Sequence, residues 1–341
     1  MRIGIVNDST IAVEALRRLL QSKPDYDVAW IANDGKEAVQ RTKEDKPDIL
    51  LMDLVMPVMD GAQATRQIMR ESPCAIIVVT GSVDSHVSKV FEALGNGALD
   101  AVATPVIGAD GGSIGSQEFF DKLERIRKFI KGAPTKTNIE QHPDQFSLSP
   151  DAPRLVLIGA STGGPKAIAQ VISHLPEDFN AAILIVQHVD SQFSEGLAKW
   201  LDDQTSLSVK TAKEGDWIEP RRIYLAGSEE HLVISHDHRL VFQVEPTETP
   251  YRPSIDVLFT SAAQRWDAPG AAVLLSGMGK DGAAGLLALR QAGWHTIAQD
   301  EATCVVYGMP KAAVALGAAV EELPLDQIAS SLVNQLRISF A

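Results

Sequence analysis

Short apolar runs alternate with helical patterns along almost the whole of this chain, and that alternation restricts the fold more than any other feature. In the first 130 residues, Ile3–Val6, Val28–Ala32, Ile49–Met52, Ala75–Thr80 and Ala101–Ala103 read as strands. Ile11–Leu20, Gly35–Glu44, Gly61–Glu71, Val83–Gly95 and Ser116–Lys131 read as the helices between them, with Val13, Leu16, Leu19 and Leu20 at helical spacing in the first. Five strands and five helices in strict alternation predict an α/β fold with a doubly wound parallel sheet, whose ligands belong at the carboxyl ends of its strands. From Gly132 to Pro153 the pattern stops, and GAPTKTNIEQHPDQFSLSPDAP carries four prolines. This stretch reads as a linker in which His142 is a solvated residue.

Alternation resumes at Arg154. Strands fit at Leu155–Ile158, Ala182–Gln187, Ser208–Thr211, Ile223–Ala226, Ala271–Ser276, Thr296–Gln299 and Ala319–Glu322, and His231–Ile234 with Leu240–Val244 reads as an inserted hairpin. Helices fit at Lys166–His174, Ser194–Asp203, Ile255–Trp266, Ala283–Gln291, Lys311–Leu316 and Asp326–Arg337. The expected organisation is therefore a first domain over 1–131, a linker over 132–153 and a second parallel α/β domain over 154–341.

Composition removes several classes of function. At 341 residues the chain exceeds one ordinary core, which agrees with two domains. A net charge of −13 opposes non-specific binding to nucleic acid, which rests on Lys and Arg contacts with phosphates. No apolar run reaches the roughly 18 residues that span a bilayer, and the start MRIGIVNDS passes straight into a strand without a signal peptide. A cytoplasmic protein with no membrane insertion is expected. Cys74 and Cys304 lie far apart, form no metal-type or redox pair, and read as buried structural thiols.

Polar residues collect at the strand ends of the first domain. Asp8 follows the first strand, Asp53 interrupts the apolar run ILLMDLVMP, Thr80 ends the fourth strand and Thr104-Pro105 follows the fifth. Two carboxylates on one sheet edge suit Mg²⁺, a hard cation that takes oxygen ligands, and an aspartate can accept a phosphoryl group as an acyl phosphate. Through VNDS, LLMDLVMPVMDG, VVTGS and GALDAVATP, residues 1 to about 131 resemble the receiver domain of two-component response regulators, a flavodoxin-like fold. The resemblance implies that Asp53 is the phosphoacceptor, that Asp8, Asp53 and the Val55 carbonyl hold Mg²⁺, and that Thr80 is the switch threonine. Asn7 stands where the family carries an acid, and Thr104 stands where it carries a lysine. These departures imply weaker Mg²⁺ binding and altered coupling of phosphorylation to output.

In the second domain, LVLIGASTGGP at Leu155–Pro165 sends a buried strand into a glycine-rich turn. Gly159-Ala160-Ser161-Thr162-Gly163 fits G-x-S-x-G, which exposes a serine before a helix. His188 follows the apolar run AAILIVQ, and Asp281 lies in LLSGMGKDG just past another strand. A serine hydroxyl is a weak nucleophile until an imidazole takes its proton, and an aspartate holds the imidazole's tautomer, so Ser161, His188 and Asp281 form a candidate triad. Amides near Thr162, or in the GMG loop around Met278, are candidates for an oxyanion hole. The order Ser, His, Asp differs from the Ser, Asp/Glu, His order of the common hydrolase fold with this turn.

Two rivals are weak. A phosphate-binding loop lacks both the G-x-G-x-x-G spacing and G-K-[ST]. A dehydrogenase pair Tyr307 and Lys311 is separated by Met309-Pro310, where a proline should interrupt the aligning helix.

With LVLIGASTGGPKAI, QHV, RPSIDVLF, LLSGMGKDGAAGL and YGMPKAA, the segment from about Pro153 to Leu323 resembles the catalytic domain of chemotaxis protein-glutamate methylesterases. The resemblance implies hydrolysis of γ-glutamyl methyl esters on chemoreceptors with release of methanol, and deamidation of receptor glutamines, with no cofactor for the esterase. It implies Ser161 as nucleophile, His188 as base, Asp281 as its orienter, and Thr162 and Met278 lining the site. The implied partners are a methyl-accepting chemoreceptor as substrate and a chemotaxis-type histidine kinase as phosphodonor. The VND start and Thr104 look closest to Wsp-type surface-sensing systems, which feed a diguanylate cyclase. A non-catalytic adaptor that has lost regulation by phosphate is the rival of another class.

Overall fold

The computed structural model describes residues 1–81, 87–107, 113–130, 154–249 and 251–338. The linker, with His142, lies outside these residues. The chain divides into two compact units, Met1–Ala133 and Pro134–Ala341.

The first unit runs β1 (Arg2–Val6), α1 (Thr10–Gln21), β2 (Asp27–Ala32), α2 (Gly35–Glu44), β3 (Ile49–Met52), α3 (Gly61–Glu71), β4 (Ala75–Thr80), α4 (Val87–Gly95) and β5 (Asp100–Ala103). A short ribbon, β6 (Val106–Ile107) paired antiparallel with β7 (Ser113–Ile114), precedes α5 (Ser116–Ile130). The ribbon carries too few residues to have a readable period. The expected helical residues at 83–86 lie outside the described part of the chain. Local chemistry places the helix starts: Ser9, Asp34 and Asp60 cap α1, α2 and α3 by accepting the amides of Ala12, Glu37 and Gln63. All four residues of β3 are buried, as a central parallel strand requires. The parallel sheet has the order β2-β1-β3-β4-β5. That order turns around at β1, so a crevice opens past the ends of β1 and β3. Asp8 and Asp53 stand at those two ends.

The second unit begins with β8 (Arg154–Ala160), α6 (Gly164–Ser173), β9 (Ala181–Gln187), a 3-10 turn at Ser191–Phe193, α7 (Ser194–Asp202), β10 (Ser208–Thr211) and β11 (Arg222–Leu225). The hairpin β12 (His231–Ile234) and β13 (Leu240–Gln243) follows, then α8 (Ile255–Arg265), β14 (Ala271–Leu274), α9 (Ala283–Gln291), β15 (His295–Gln299), α10 (Met309–Ala315), β16 (Glu321–Leu323) and α11 (Leu325–Ile338). Seven parallel strands form one sheet in the order β10-β11-β9-β8-β14-β15-β16, and the hairpin is a separate antiparallel pair. The central strand β8 has β9 on one side and β14 on the other, so the turn after β8 lies where the strand order diverges.

Leu155, Leu157, Leu184, Val186, Leu274 and Leu286 are fully buried in one cluster with Ile255, Phe259 and Trp294. Burying each large apolar side chain stabilises the fold by roughly 1.5–3 kcal/mol. Several element bounds differ from expectation, among them the helix expected at Lys166–His174, which runs Gly164–Ser173, and the strand expected at Ala319–Glu322, which runs Glu321–Leu323. The strand at Ala271 stops at Leu274: the Leu275 amide still donates to the Gly159 carbonyl at 2.8 Å, but the Ser276 amide turns to Gln299 Oε1 at 2.7 Å. The expected helix at Lys311 starts earlier, at Met309, with Pro310 inside its first turn, where a missing amide costs nothing. Tyr307 is therefore off that helix, and its hydroxyl donates to Glu322 at 2.6 Å. Cys74 and Cys304 are free but only half-buried. Burial pushes their thiols up to about 11 and about 12, which leaves them unreactive at neutral pH.

Candidate active site

Ser161 and His188 are the first residues past two neighbouring strands. Ala160 of β8 pairs with Gln187 of β9, and the His188 amide donates to the Ala160 carbonyl at 3.0 Å. The Ser161 main chain is anchored on both sides of the sheet. Its amide donates to the Ser276 carbonyl at 3.0 Å, and its carbonyl accepts from Gln187 Nε2 at 2.9 Å. Gly163 takes a left-handed φ of 78° before α6, a conformation that favours glycine. Gly277 lets the following loop close in, since a Cβ there would lie 2.8 Å from the Ser161 Cβ. Thr162 and Met278 thus flank the serine on its two adjoining turns, Thr162 buried and Met278 half-buried.

Asp281 reaches the same edge from the loop between β14 and α9. Its Oδ2 stands 2.8 Å from His188 Nε2. It also accepts the Ser254 hydroxyl at 2.8 Å, the Ile255 amide at 2.7 Å and the Asp256 amide at 3.1 Å. These donors form the start of α8, so the carboxylate occupies a helix N-terminus. Burial opposes its charge, but the His188 ring and these amides outweigh burial and hold Asp281 below the usual carboxylate range. The other ring nitrogen, His188 Nδ1, is buried and has no hydrogen-bond partner among the described residues. A proton acceptor is therefore open on the ring edge opposite the carboxylate. Tyr251 stacks on the imidazole, with centroids 4.2 Å apart and planes 6° from parallel.

Several contributors escaped the sequence reading. Gln187, 2% exposed, braces the carbonyls of both Ser161 and His188. Ser276 donates to the Thr162 carbonyl at 2.7 Å and accepts the amides of Val305 and Val306. Each is a polar residue at the end of an apolar strand, which is the signal that marked His188. Asp256 bonds the Gly285 amide at 2.6 Å at the start of α9. Burial, and then the neighbouring charge of Asp281, push its carboxyl up to about 7.

In the first unit, the Asp53 amide donates to the Val6 carbonyl at 2.9 Å, and its carboxylate accepts the Leu54 amide at 2.7 Å. Asp8 and Val55 are exposed beside it, and Thr80 is buried. The Thr104 amide bonds the Thr80 carbonyl at 2.9 Å, so the fourth and fifth strands deliver both threonines to one edge. Asn7 is buried, and its Oδ1 accepts the Ser9 amide at 2.8 Å. Two carboxylates and a carbonyl are the donor chemistry that Mg²⁺ takes. Among the described residues no group of three or more His, Cys, Asp or Glu has metal-binding geometry, and none of their helices is long and apolar enough to cross a membrane.

A receiver-type sheet followed by a parallel α/β domain with serine, histidine and aspartate at its strand ends defines a class: response regulators with a hydrolase effector. Comparison with known proteins names the family within it. Residues 3–109 match the response regulator receiver domain, and residues 156–332 match CheB methylesterase. The chain belongs to the CheB methylesterase family. A protein-glutamate methylesterase/protein-glutamine glutaminase of Burkholderia orbicola is 49% identical, with 99% of this chain and 100% of the relative covered. One from Bordetella avium is 52% identical, covering 97% and 96%. The CheB methylesterase catalytic domain of Thermotoga maritima, a crystal structure, superposes with a TM-score of 0.52 at 35% identity, covering 53% of this chain and 98% of that one.

Proposed function

We propose that this protein hydrolyses glutamate γ-methyl esters on a methyl-accepting chemoreceptor, and deamidates the corresponding glutamines, with Ser161, His188 and Asp281 as its triad. The observation that carries the reading is the 2.8 Å bond from His188 Nε2 to Asp281, which holds the ring proton on Nε2 and leaves Nδ1 unprotonated, the acceptor this reading assigns to the Ser161 proton. Ser161 Oγ attacks the ester carbonyl as its proton passes to His188, and Asp281 stabilises the imidazolium. In this reading, amides of the turns at Thr162 and Met278 supply the oxyanion hole. The tetrahedral intermediate collapses as His188 returns the proton to the methoxy oxygen, releasing methanol and leaving a glutamyl ester on Ser161. Water then adds with His188 as base, and the glutamate carboxylate and free serine are restored. With glutamine the leaving group is ammonia.

The receiver is the regulatory input of this reading. Asp53 accepts a phosphoryl group from a chemotaxis-type histidine kinase, and Asp8, Asp53 and the Val55 carbonyl hold Mg²⁺. The ion supplies neutralisation of phosphoryl charge when bound. Thr80 and Thr104 face the modified edge as the switch. The VND start and Thr104 support a Wsp-type pathway whose output is a diguanylate cyclase.

Methanol release from methylated receptor membranes, compared between the protein and its Ser161→Ala variant, tests the esterase. Loss of a triad serine costs on the order of 10⁶-fold in kcat in a protease where this is measured, so the variant is expected to release no methanol above background. Equal rates would overturn the reading.

A further inference from the structure

His231 opens the inserted hairpin, outside the proposed triad, and its side chain is completely buried. Both ring nitrogens are engaged. Nδ1 accepts the Ser254 amide at 3.0 Å. Nε2 lies 3.1 Å from the Pro246 carbonyl and 3.2 Å from the Thr249 hydroxyl. A backbone amide only donates, so Nδ1 is unprotonated and the ring proton sits on Nε2, directed to the Pro246 carbonyl. The ring is thus a neutral imidazole with one defined tautomer.

The residue it grips starts the helix that holds Asp281. Ser254 caps α8, gives its hydroxyl to Asp281 Oδ1, and directly precedes the two amides that bond the same carboxylate. A continuous chain runs from the Pro246 carbonyl through His231, Ser254 and Asp281 to His188. Resting on the esterase reading above, we infer that His231 is a positioning residue of the active site: by accepting the Ser254 amide it fixes the start of α8, and with it the direction in which Asp281 meets His188.

The surroundings keep the ring in the form this role needs. Burial disfavours its cation, and the Arg252 charge on the adjoining segment acts in the same direction, while the Pro246 carbonyl and Asp281 beyond Ser254 oppose them. The net direction is down, toward the neutral ring. A ring protonated on Nδ1 would set one N–H against another and release the helix start.

Amide side chains separate this role from plain core filling. In His231→Asn the Oδ1 atom falls near the Nδ1 position and accepts the Ser254 amide. In His231→Gln the amide nitrogen falls near Nε2 and restores only the bond to Pro246. Methanol release by the full chain, with kcat and KM resolved, is expected to fall less than about threefold in kcat for Asn. For Gln the expected loss is ten- to a hundredfold in kcat, with KM within about twofold. Circular dichroism and thermal melting report folding of each variant. Equal kcat values in two folded variants, both high or both low, overturn the inference. Should Gln fail to fold, the Asn variant decides alone, and a tenfold or greater kcat loss in folded His231→Asn overturns it. Wild type and Ser161→Ala run beside them: activity that survives Ser161→Ala defeats the esterase reading itself, whereas a silent Ser161→Ala beside indifferent His231 variants defeats only this inference.

Discussion

Among single side chains, Tyr251 couples the two halves of the proposed chemistry. Its ring lies flat on His188, and its hydroxyl oxygen would stand 3.0 Å from a Cβ placed on Gly279, the residue after Met278. An aromatic face stabilises a cation against it, and such stacks contribute about 0.5–2 kcal/mol, or about two- to thirtyfold in a rate that depends on the imidazolium. Tyr251→Phe keeps the face and is expected to hold kcat within about twofold. Tyr251→Leu removes it and is expected to lower kcat about two- to thirtyfold, measured as methanol release at saturating receptor. A leucine variant as fast as the phenylalanine variant would show that the stack is only packing. Residues of this kind were not legible in the chain. Tyr251 lies on no strand or helix and His231 opens a hairpin strand instead of closing an apolar run, and what they do depends on partners that folding brings from distant segments.

At the scale of elements, α8 and α9 begin by capping each other. Asp281, just before α9, takes the first amides of α8, and Asp256, in the first turn of α8, takes the Gly285 amide of α9. Each carboxyl meets the first amides of the other helix, and for the ionised Asp281 that arrangement is worth roughly 0.3–2 kcal/mol. The two groups have opposite pH signatures. Asp281 is held low, so its contribution is present above the usual carboxylate range and is lost as pH falls through its lowered value. Asp256 is raised to about 7, so its contribution is full at acid pH and is lost as pH climbs to about 7. Asp256→Asn keeps an acceptor for Gly285 but cannot ionise. Its melting temperature relative to wild type is expected to rise by about 2–4 °C between pH 5 and pH 8, the shift that about 1 kcal/mol makes in a domain of this size. A difference that stays constant over that range would rule out the buried charge as its cause. The motif RPSID was visible in the sequence, but the reciprocal geometry was not, because each cap is supplied from some 25 residues away.

For the whole molecule, the coupling of receiver to effector is expected to differ because Asn7 and Thr104 stand where receiver domains carry an acid and a lysine. Asn7 spends its Oδ1 on the Ser9 amide and brings no charge toward Asp8 and Asp53. Asn7→Asp is therefore expected to lower the Mg²⁺ concentration at half-maximal Asp53 phosphorylation about three- to tenfold, followed by Phos-tag electrophoresis with an acyl-phosphate donor. Identical midpoints would show that Asn7 does not set the Mg²⁺ requirement. A phosphodonor is expected to raise methanol release in wild type and leave Asp53→Ala unchanged. A rate indifferent to phosphodonor in both would favour the receiver as a fixed adaptor.

What this sequence determined by itself was the alternation of strands and helices, the two sheets it implies, the strand-end residues Asp53, Ser161 and His188, and Asp281 in the loop past another strand. These are local properties: a run of buried apolar residues forms a strand wherever it packs, and a polar residue closing such a run must stand at the sheet edge. Tertiary structure alone decided the strand order around β8, the choice of His188 Nε2 for Asp281, and the chain of bonds from His231 through Ser254. Those follow from which ends meet in three dimensions, and a hydrogen bond requires two groups within about 3 Å, a condition that spacing along the chain does not encode.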